Sequence, residues 1–324
     1  MPQLEQTTVV ITGASSGIGR ATARAFAARG ANLVLAARRD DLLEEVAREC
    51  RQEGVQAVPV ETDVADLHQM NRLARTAVER FGGIDVWVNN AGVGAVGRFE
   101  ETPMAAHRRV IETDLMGPMH GAYVALPHMQ RQRHGVLINT VSLGAFAAPP
   151  FAAAYAAAKF GLRGFIDSLR QELRDWPDVH VCGVYPSFVD TPGIAHGANY
   201  TGHQLRPKGP ALTPEHVAAA IVRCAEHPRR EVLVGGMTRV AKVAHALVPG
   251  LVERIGPRLF GGAIARAPRG PVHDGTLFHP MWSGRGVSGG LNAGLGWVKP
   301  AAVATALGMT ALGVAVASAR IRRK

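Results

Sequence analysis

The chain has 324 residues, enough for one large α/β domain with an extension or for two small domains, and 47% hydrophobic against 19% charged residues excludes a disordered polymer. The formal charge of +10 is unevenly placed: residues 1–236 hold 24 Lys+Arg and 24 Asp+Glu, and residues 237–324 hold the other 12 bases against only Glu253 and Asp274. A neutral body with a basic tail argues against a nucleic-acid-binding domain and points to an anionic surface as the partner of the tail.

Met1–Thr8 is polar and has no basic stretch followed by an apolar one, so no secretory leader is predicted. Cys50, Cys182 and Cys224 are far apart and odd in number, which predicts neither a disulfide framework nor a metal set and places the chain in a reducing, cytoplasmic compartment. Thr7–Thr12 is a β-branched run and reads as a buried strand. Apolar residues at helical spacing follow over Gly17–Arg29, then a second strand over Asn32–Ala37. Asp40 is the expected cap of an acidic helix reaching Glu53. The alternation goes on: strand Val55–Glu61, helix Asp66–Phe81, strand Ile84–Asn89, helix Pro103–Arg131, strand Gly135–Val141, helix Tyr155–Arg174, strand His180–Tyr185, helix Pro214–Glu226 and strand Glu231–Val234. Alternating strands and helices predict a doubly wound parallel sheet with helices on both faces, closing near Gly236. Ligands of such sheets bind beyond the C-terminal strand ends.

Residues 187–212 form a long Gly/Pro-rich connection and read as a substrate lid. The extension, residues 237–324, carries an amphipathic stretch over 240–260 with one apolar face of Val240, Ala244, Leu247, Leu251, Ile255 and Leu259. A Gly/Pro-rich segment follows over 261–296. Pro300–Ala319 is then uncharged for 20 residues and precedes a basic end. As a helix it would be about 30 Å long, enough to span a bilayer. Its alanine-rich content and the basic end conflict with spanning, so peripheral membrane contact is the expectation.

Three short patterns sit at strand ends. Thr12-Gly13-Ala14-Ser15-Ser16-Gly17-Ile18-Gly19 is a glycine-rich turn between a strand and a helix, suited to bringing backbone N–H groups to a pyrophosphate. Asn89-Asn90-Ala91-Gly92 closes the fourth strand. Tyr155 and Lys159 are four residues apart, so they share one helix face. An ordinary phenol titrates near ~10 and is a poor acid at neutral pH, and an adjacent ammonium favours its charged form. No H-E-x-x-H cluster points to a metal, and no G-x-S-x-G elbow points to a serine hydrolase.

In this order the three patterns resemble the short-chain dehydrogenase/reductase superfamily, over residues 12–192 and, with the closing elements, about three quarters of the chain. The resemblance implies a Rossmann fold and a nicotinamide cofactor held by Gly13, Ser15, Ser16, Gly17, Ile18 and Gly19, with Asp63 and Val64 beside the adenine. A plain loop or capping acid is the other reading of Asp63. Asn89, Ala91, Gly92, Pro186, Val189 and Thr191 are expected along the rest of the cofactor, with Tyr155 and Lys159 at the reacting end. The resemblance also places Ser142 opposite Tyr155. At the end of the second strand an acid would bind a free 2′-hydroxyl, but this chain has Arg38, which predicts NADP(H). Two solvated arginines opening a loop are the alternative.

Two positions depart from the family. Asp114 stands where an Asn is usual and is carried as a candidate relay member, and Ser187 follows Pro186 where Gly is usual. Val93, Leu143, Phe146, Phe151 and Phe188 are candidate walls of a lipophilic pocket, or simply core. The expectation is an NADP-dependent oxidoreductase interconverting a lipophilic carbonyl and alcohol, assembled as a homo-oligomer. A cofactor-binding scaffold or sensor at a membrane, impaired by Asp114, stands as the alternative.

Overall fold

A computed structural model describes residues 4–205, 211–247, 250, 261–262, 264–281, 284 and 286–291, the side chains of 194, 195 and 244–246 excepted. Its central parallel sheet comprises β1 (Thr8–Thr12), β2 (Asn32–Ala37), β3 (Ala57–Glu61), β4 (Val86–Asn89), β5 (Gly135–Thr140), β6 (Val179–Pro186) and β7 (Glu231–Val234). The strands lie in the order β3-β2-β1-β4-β5-β6-β7. The order reverses between β1 and β4, which opens a crevice at the C-terminal strand ends.

The helices of eight or more described residues are α1 (Gly17–Ala27), α2 (Asp40–Arg51), α3 (Leu67–Phe81), α4 (Met104–Ile111), α5 (Gly117–Gln132), α6 (Ala153–Glu172), α7 (Pro214–Glu226) and α8 (Gly236–Leu247). Successive strand residues feed opposite faces of the sheet. Val9, Ile11, Leu33 and Leu35 pack with Phe26, Val46 and Ile221 in one core. Val10, Val34, Trp87 and Leu137 pack with Met70, Ala125 and Ile166 in the other. Both faces are covered, which is why the strands read as unbroken apolar runs.

Several boundaries differ from the sequence expectation. Val55 and Ile84 precede strand pairing: β3 starts at Ala57, and the Ile84 N–H donates to Gln132 Oε1 at 3.0 Å instead of to a neighbouring strand. Asp40 is the first helical residue and not the cap; Arg39 stands at the cap position, and its side chain makes no capping bond. Asp40 and Asp41 thus act on the N-terminal dipole of α2. Asp66 is the cap of α3, its Oδ1 accepting from the His68 N–H at 2.8 Å. The helix expected over Pro103–Arg131 is interrupted by a wide π-type turn, Glu112–Met116, between α4 and α5.

The connection 187–212 is tied down at both ends of its described part. Asp190 N–H donates to the Leu212 carbonyl at 2.8 Å, and a two-residue strand, Ala198–Asn199, pairs with Ala95–Val96. Helix α8 rests on the body through the Lys242–Glu231 ion pair, with Lys242 Nζ 5.3 Å from the Phe146 ring centre. Val240 and Leu247 of the predicted amphipathic face are exposed. The rest of that face beyond 250 and the segment 300–319 lie outside the described residues. Among the described residues no helix is long and apolar enough to cross a membrane.

Candidate active site

The glycine-rich turn leaves β1 with Gly13 at φ +68°, a conformation that favours glycine. A Cβ on Gly13 would lie 2.8 Å from Ala91 Cα, and one on Gly19 would collide with the Gly13 carbonyl. The start of α1 is therefore pressed onto its own turn and onto the chain after β4, a cradle of backbone that a side chain would fill. This fits the dinucleotide role, because bare amides at a helix start bind phosphates. Thr12 and Asn90, which the site expectation omitted, knit the cradle together. Thr12 Oγ1 accepts from the N–H groups of Asn90 at 3.0 Å and Ala91 at 3.2 Å, and Asn90 Nδ2 donates to the Thr12 carbonyl at 3.1 Å. Both residues stand inside the quoted motifs, so the signal was present.

The other cofactor-side residues divide by what their side chains do. Asn89 is buried, receives Trp87 Nε1 at 2.8 Å, and donates to Pro118 O at 3.1 Å and Asn139 Oδ1 at 2.9 Å. Its side chain thus locks the sheet, leaving only its backbone for the cleft. Val64 belongs to the second core, and its carbonyl takes His120 Nδ1 at 2.9 Å. Ser16 sits at the α1 cap position without a cap bond, and Ser15 Oγ accepts from Arg39 at 3.4 Å. Ile18 packs against the first core. Pro186 ends β6, and Val189 bridges to Leu212. Thr191 meets the start of α1: a Cβ on Gly17 would lie 3.3 Å from Thr191 Cβ. Gly92 faces Asp114.

Asp63 accepts from the Ala65 N–H at 3.0 Å and forms an ion pair with Arg109, a residue the sequence reading missed. Arg38 is half-buried. Its guanidinium donates to the carbonyls of Thr276, Leu277 and Phe278, the Leu277 bond at 3.1 Å.

The reacting end is built on the wide turn before α5. That turn swings Asp114 inward, where it is fully buried. Asp114 Oδ1 accepts from the Val93 N–H at 2.8 Å, and Oδ2 lies 3.1 Å from Lys159 Nζ. Lys159 is itself buried, with Nζ 5.5 Å from the Tyr155 ring centre. Burial raises the Asp114 carboxyl above its ordinary range, and Lys159 restrains that rise. Burial pulls the Lys159 ammonium down, but Asp114 and then Tyr155 outweigh it, and the net shift is upward. Ser142 sits two residues past β5, and its Oγ accepts from the Gly144 N–H at 3.0 Å. A Cβ on Gly144 would lie 3.4 Å from Ser142 Oγ and 3.1 Å from Tyr155 Cε1, so Ser142 and Tyr155 flank one glycine.

Of the candidate pocket walls, Phe146 is core: it is buried and lies 5.0 Å from the Tyr185 ring. Val93, Leu143, Phe151 and Phe188 are half-buried; Val93 packs in the small cluster with Tyr155, and Leu143 directly follows Ser142.

The family model described as short chain dehydrogenase matches residues 7–198. The uncharacterized oxidoreductase YxnA of Bacillus subtilis (strain 168) is 35% identical over 282 residues, covering 86% of this chain and 79% of that protein. An alcohol dehydrogenase from the archaeon Thermococcus sibiricus, solved with 5-hydroxy-NADP, superposes with a TM-score of 0.62 at 30% identity, covering 70% of this chain and 95% of that one. A short chain dehydrogenase/reductase from Burkholderia phymatum, solved with NAD, superposes with a TM-score of 0.66 at 26% identity, covering 84% of this chain and 100% of that one. With the family model matching more than half of the chain and a relative 35% identical over most of its length, the chain belongs to the short-chain dehydrogenase/reductase family of oxidoreductases.

Proposed function

We propose that the protein is an NADP(H)-dependent oxidoreductase that interconverts a lipophilic carbonyl and its alcohol. The observation that carries this reading is the buried Asp114–Lys159 pair beside the half-buried Tyr155, with Tyr155 and Ser142 both next to Gly144. When bound, the nicotinamide supplies the hydride. Tyr155 donates its phenolic proton to the substrate oxygen. Ser142 donates a second hydrogen bond to that oxygen and fixes its direction. Lys159 holds a positive charge beside the phenol as the proton leaves. Asp114 keeps that charge in place in a buried setting where a lone ammonium would be costly. In the direction of alcohol oxidation the same groups accept what they gave.

The two structural neighbours carry one nicotinamide dinucleotide of each type, so the choice rests on this chain's own residues. Arg38 and Arg39 follow β2 with no acid at Ala37, and a guanidinium pairs with a phosphate by charge-assisted bonds. The half-buried apolar residues Val93, Leu143, Phe151 and Phe188 support a lipophilic substrate, with residues 187–212 as its lid.

The test is oxidation of NADPH and NADH by the purified protein, followed at 340 nm across aliphatic, aromatic and steroid-like carbonyls. NADPH-dependent turnover that rises with apolar bulk is expected. Tyr155→Phe is expected to lower turnover by about 10²–10⁴-fold while leaving NADPH binding intact. Binding without turnover in the wild type would identify a scaffold.

A further inference from the structure

Described parts of the C-terminal extension touch the body at points spread along the crevice. Four contacts, met in chain order, mark these points. The carbonyls of Thr276, Leu277 and Phe278 take Arg38 at the adenosine end, and the Leu277 carbonyl also accepts from Arg109 Nε at 2.9 Å. The Met281 carbonyl accepts from Arg39 at 2.9 Å. The Gly286 carbonyl accepts from the Gly17 N–H, at the start of α1, at 3.2 Å. At the far end Asp190, next to Thr191, is bound on both oxygens: Ser288 Oγ donates to Oδ2 and the Leu291 N–H to Oδ1, each at 2.9 Å.

The fit is close. Leu277 is fully buried in a small cluster with Ala106, Val110 and Tyr200. Tyr200 Oη donates to Asp274 at 2.6 Å, and the Thr276 N–H donates to the His196 carbonyl at 2.9 Å. A Cβ on Gly289 would collide with the Thr191 carbonyl. The strap offers backbone oxygens, the negative ends of peptide dipoles, to an arginine and to a helix-start amide. These are the donors a dinucleotide would use for its 2′-phosphate and pyrophosphate.

We propose that residues 276–281 and 286–291 act as an internal gate that competes with the dinucleotide for the crevice. This rests on the reading of the crevice as an NADP(H) site. The strap holds the arginines and the α1 start with neutral carbonyls, and the cofactor displaces it because a phosphate bonds a guanidinium more strongly than a neutral oxygen does. Cofactor entry is then limited by how often the strap lifts.

The experiment is stopped-flow binding of NADPH to the full chain, read by nucleotide fluorescence, with dissociation measured by a chase of excess NADP+. In the wild type the observed rate is expected to level off with NADPH concentration, and this needs no variant. Ser288→Ala removes one bond to a buried carboxylate, and Gly289→Ala forces the strap off Thr191. Each is expected to raise the plateau rate and to tighten NADPH binding, about tenfold for Ser288→Ala, the size of one bond to a charged group. A rate that stays linear in NADPH and is the same in all three proteins would overturn the gate while leaving the cofactor reading standing. Weaker binding and faster release in the variants would overturn it in favour of a clamp that holds bound cofactor. Absence of NADPH binding in every protein would overturn the cofactor reading, and the gate with it.

Discussion

The sheet body and the C-terminal strap bury comparable side chains by different means. Leu35 in β2 and Leu277 in the strap are both fully buried. Leu35 is surrounded by other strands and by helices, each apolar in its own sequence. Leu277 sits in a cluster of six buried residues, under a segment otherwise held by carbonyls bonded to arginines and by a glycine pressed on a neighbouring backbone. The body owes its order to area removed from water, and the strap to a few directional bonds. Such segments open below the global unfolding free energy.

Pairing those two leucines sharpens the contrast most. Leu35→Ala is expected to cost about 2–5 kcal/mol of global stability in urea unfolding, because the close-packed core around it cannot collapse. Leu277→Ala is expected to leave the global transition nearly in place and to raise amide exchange at Thr276 and Gly289. Equal losses in the two variants would make the strap part of the core.

Arg38→Gln tests the next effect down. Loss of the guanidinium is expected to weaken NADPH binding by about ten- to a hundredfold, as for a lost bond between charged groups. NADH binding, measured by the same titration, should not weaken. Parallel losses for both nucleotides would remove Arg38 from the cofactor choice.

Asp114→Asn probes the body's buried charges. Lys159 is held up against burial chiefly by Asp114. Without that charge its ammonium loses its proton at lower pH, so the alkaline limb of the kcat profile is expected to move down by about one pH unit or more, worth ~1.4 kcal/mol per unit. An unmoved limb would show that Asp114 does not sustain the lysine charge.

The smallest effect is at the surface. The Asp85 carboxylate, 2.9 Å from His134 Nε2, raises that imidazole above its usual range. The stability it adds is present below the ordinary histidine range and is lost as pH rises through the raised value. The side chain is more than half exposed, so solvent limits the gain to well under about 1 kcal/mol. His134→Gln should therefore flatten, only slightly, the change in urea midpoint between pH 6 and pH 8.

The local pattern of the chain determined the alternation of strands and helices, the glycine cradle and the Tyr155–Lys159 spacing, because periodicity and turn chemistry act over a few residues. Element ends were less legible: Ile84 and Val55 are as apolar as the strands they precede, and only pairing shows where a strand begins. The fate of Asn89 was hidden for a related reason, since its partners Pro118 and Asn139 lie 29 and 50 residues away. The inward swing of Asp114 depends on a wide turn that no local pattern marks. What only the tertiary structure decided was the course of the extension. Its Gly/Pro-rich segment has no period to read, and its contacts with Arg38, Arg39 and Gly17 join residues about 240 to 270 positions apart, where chemistry at one end carries no imprint of the other.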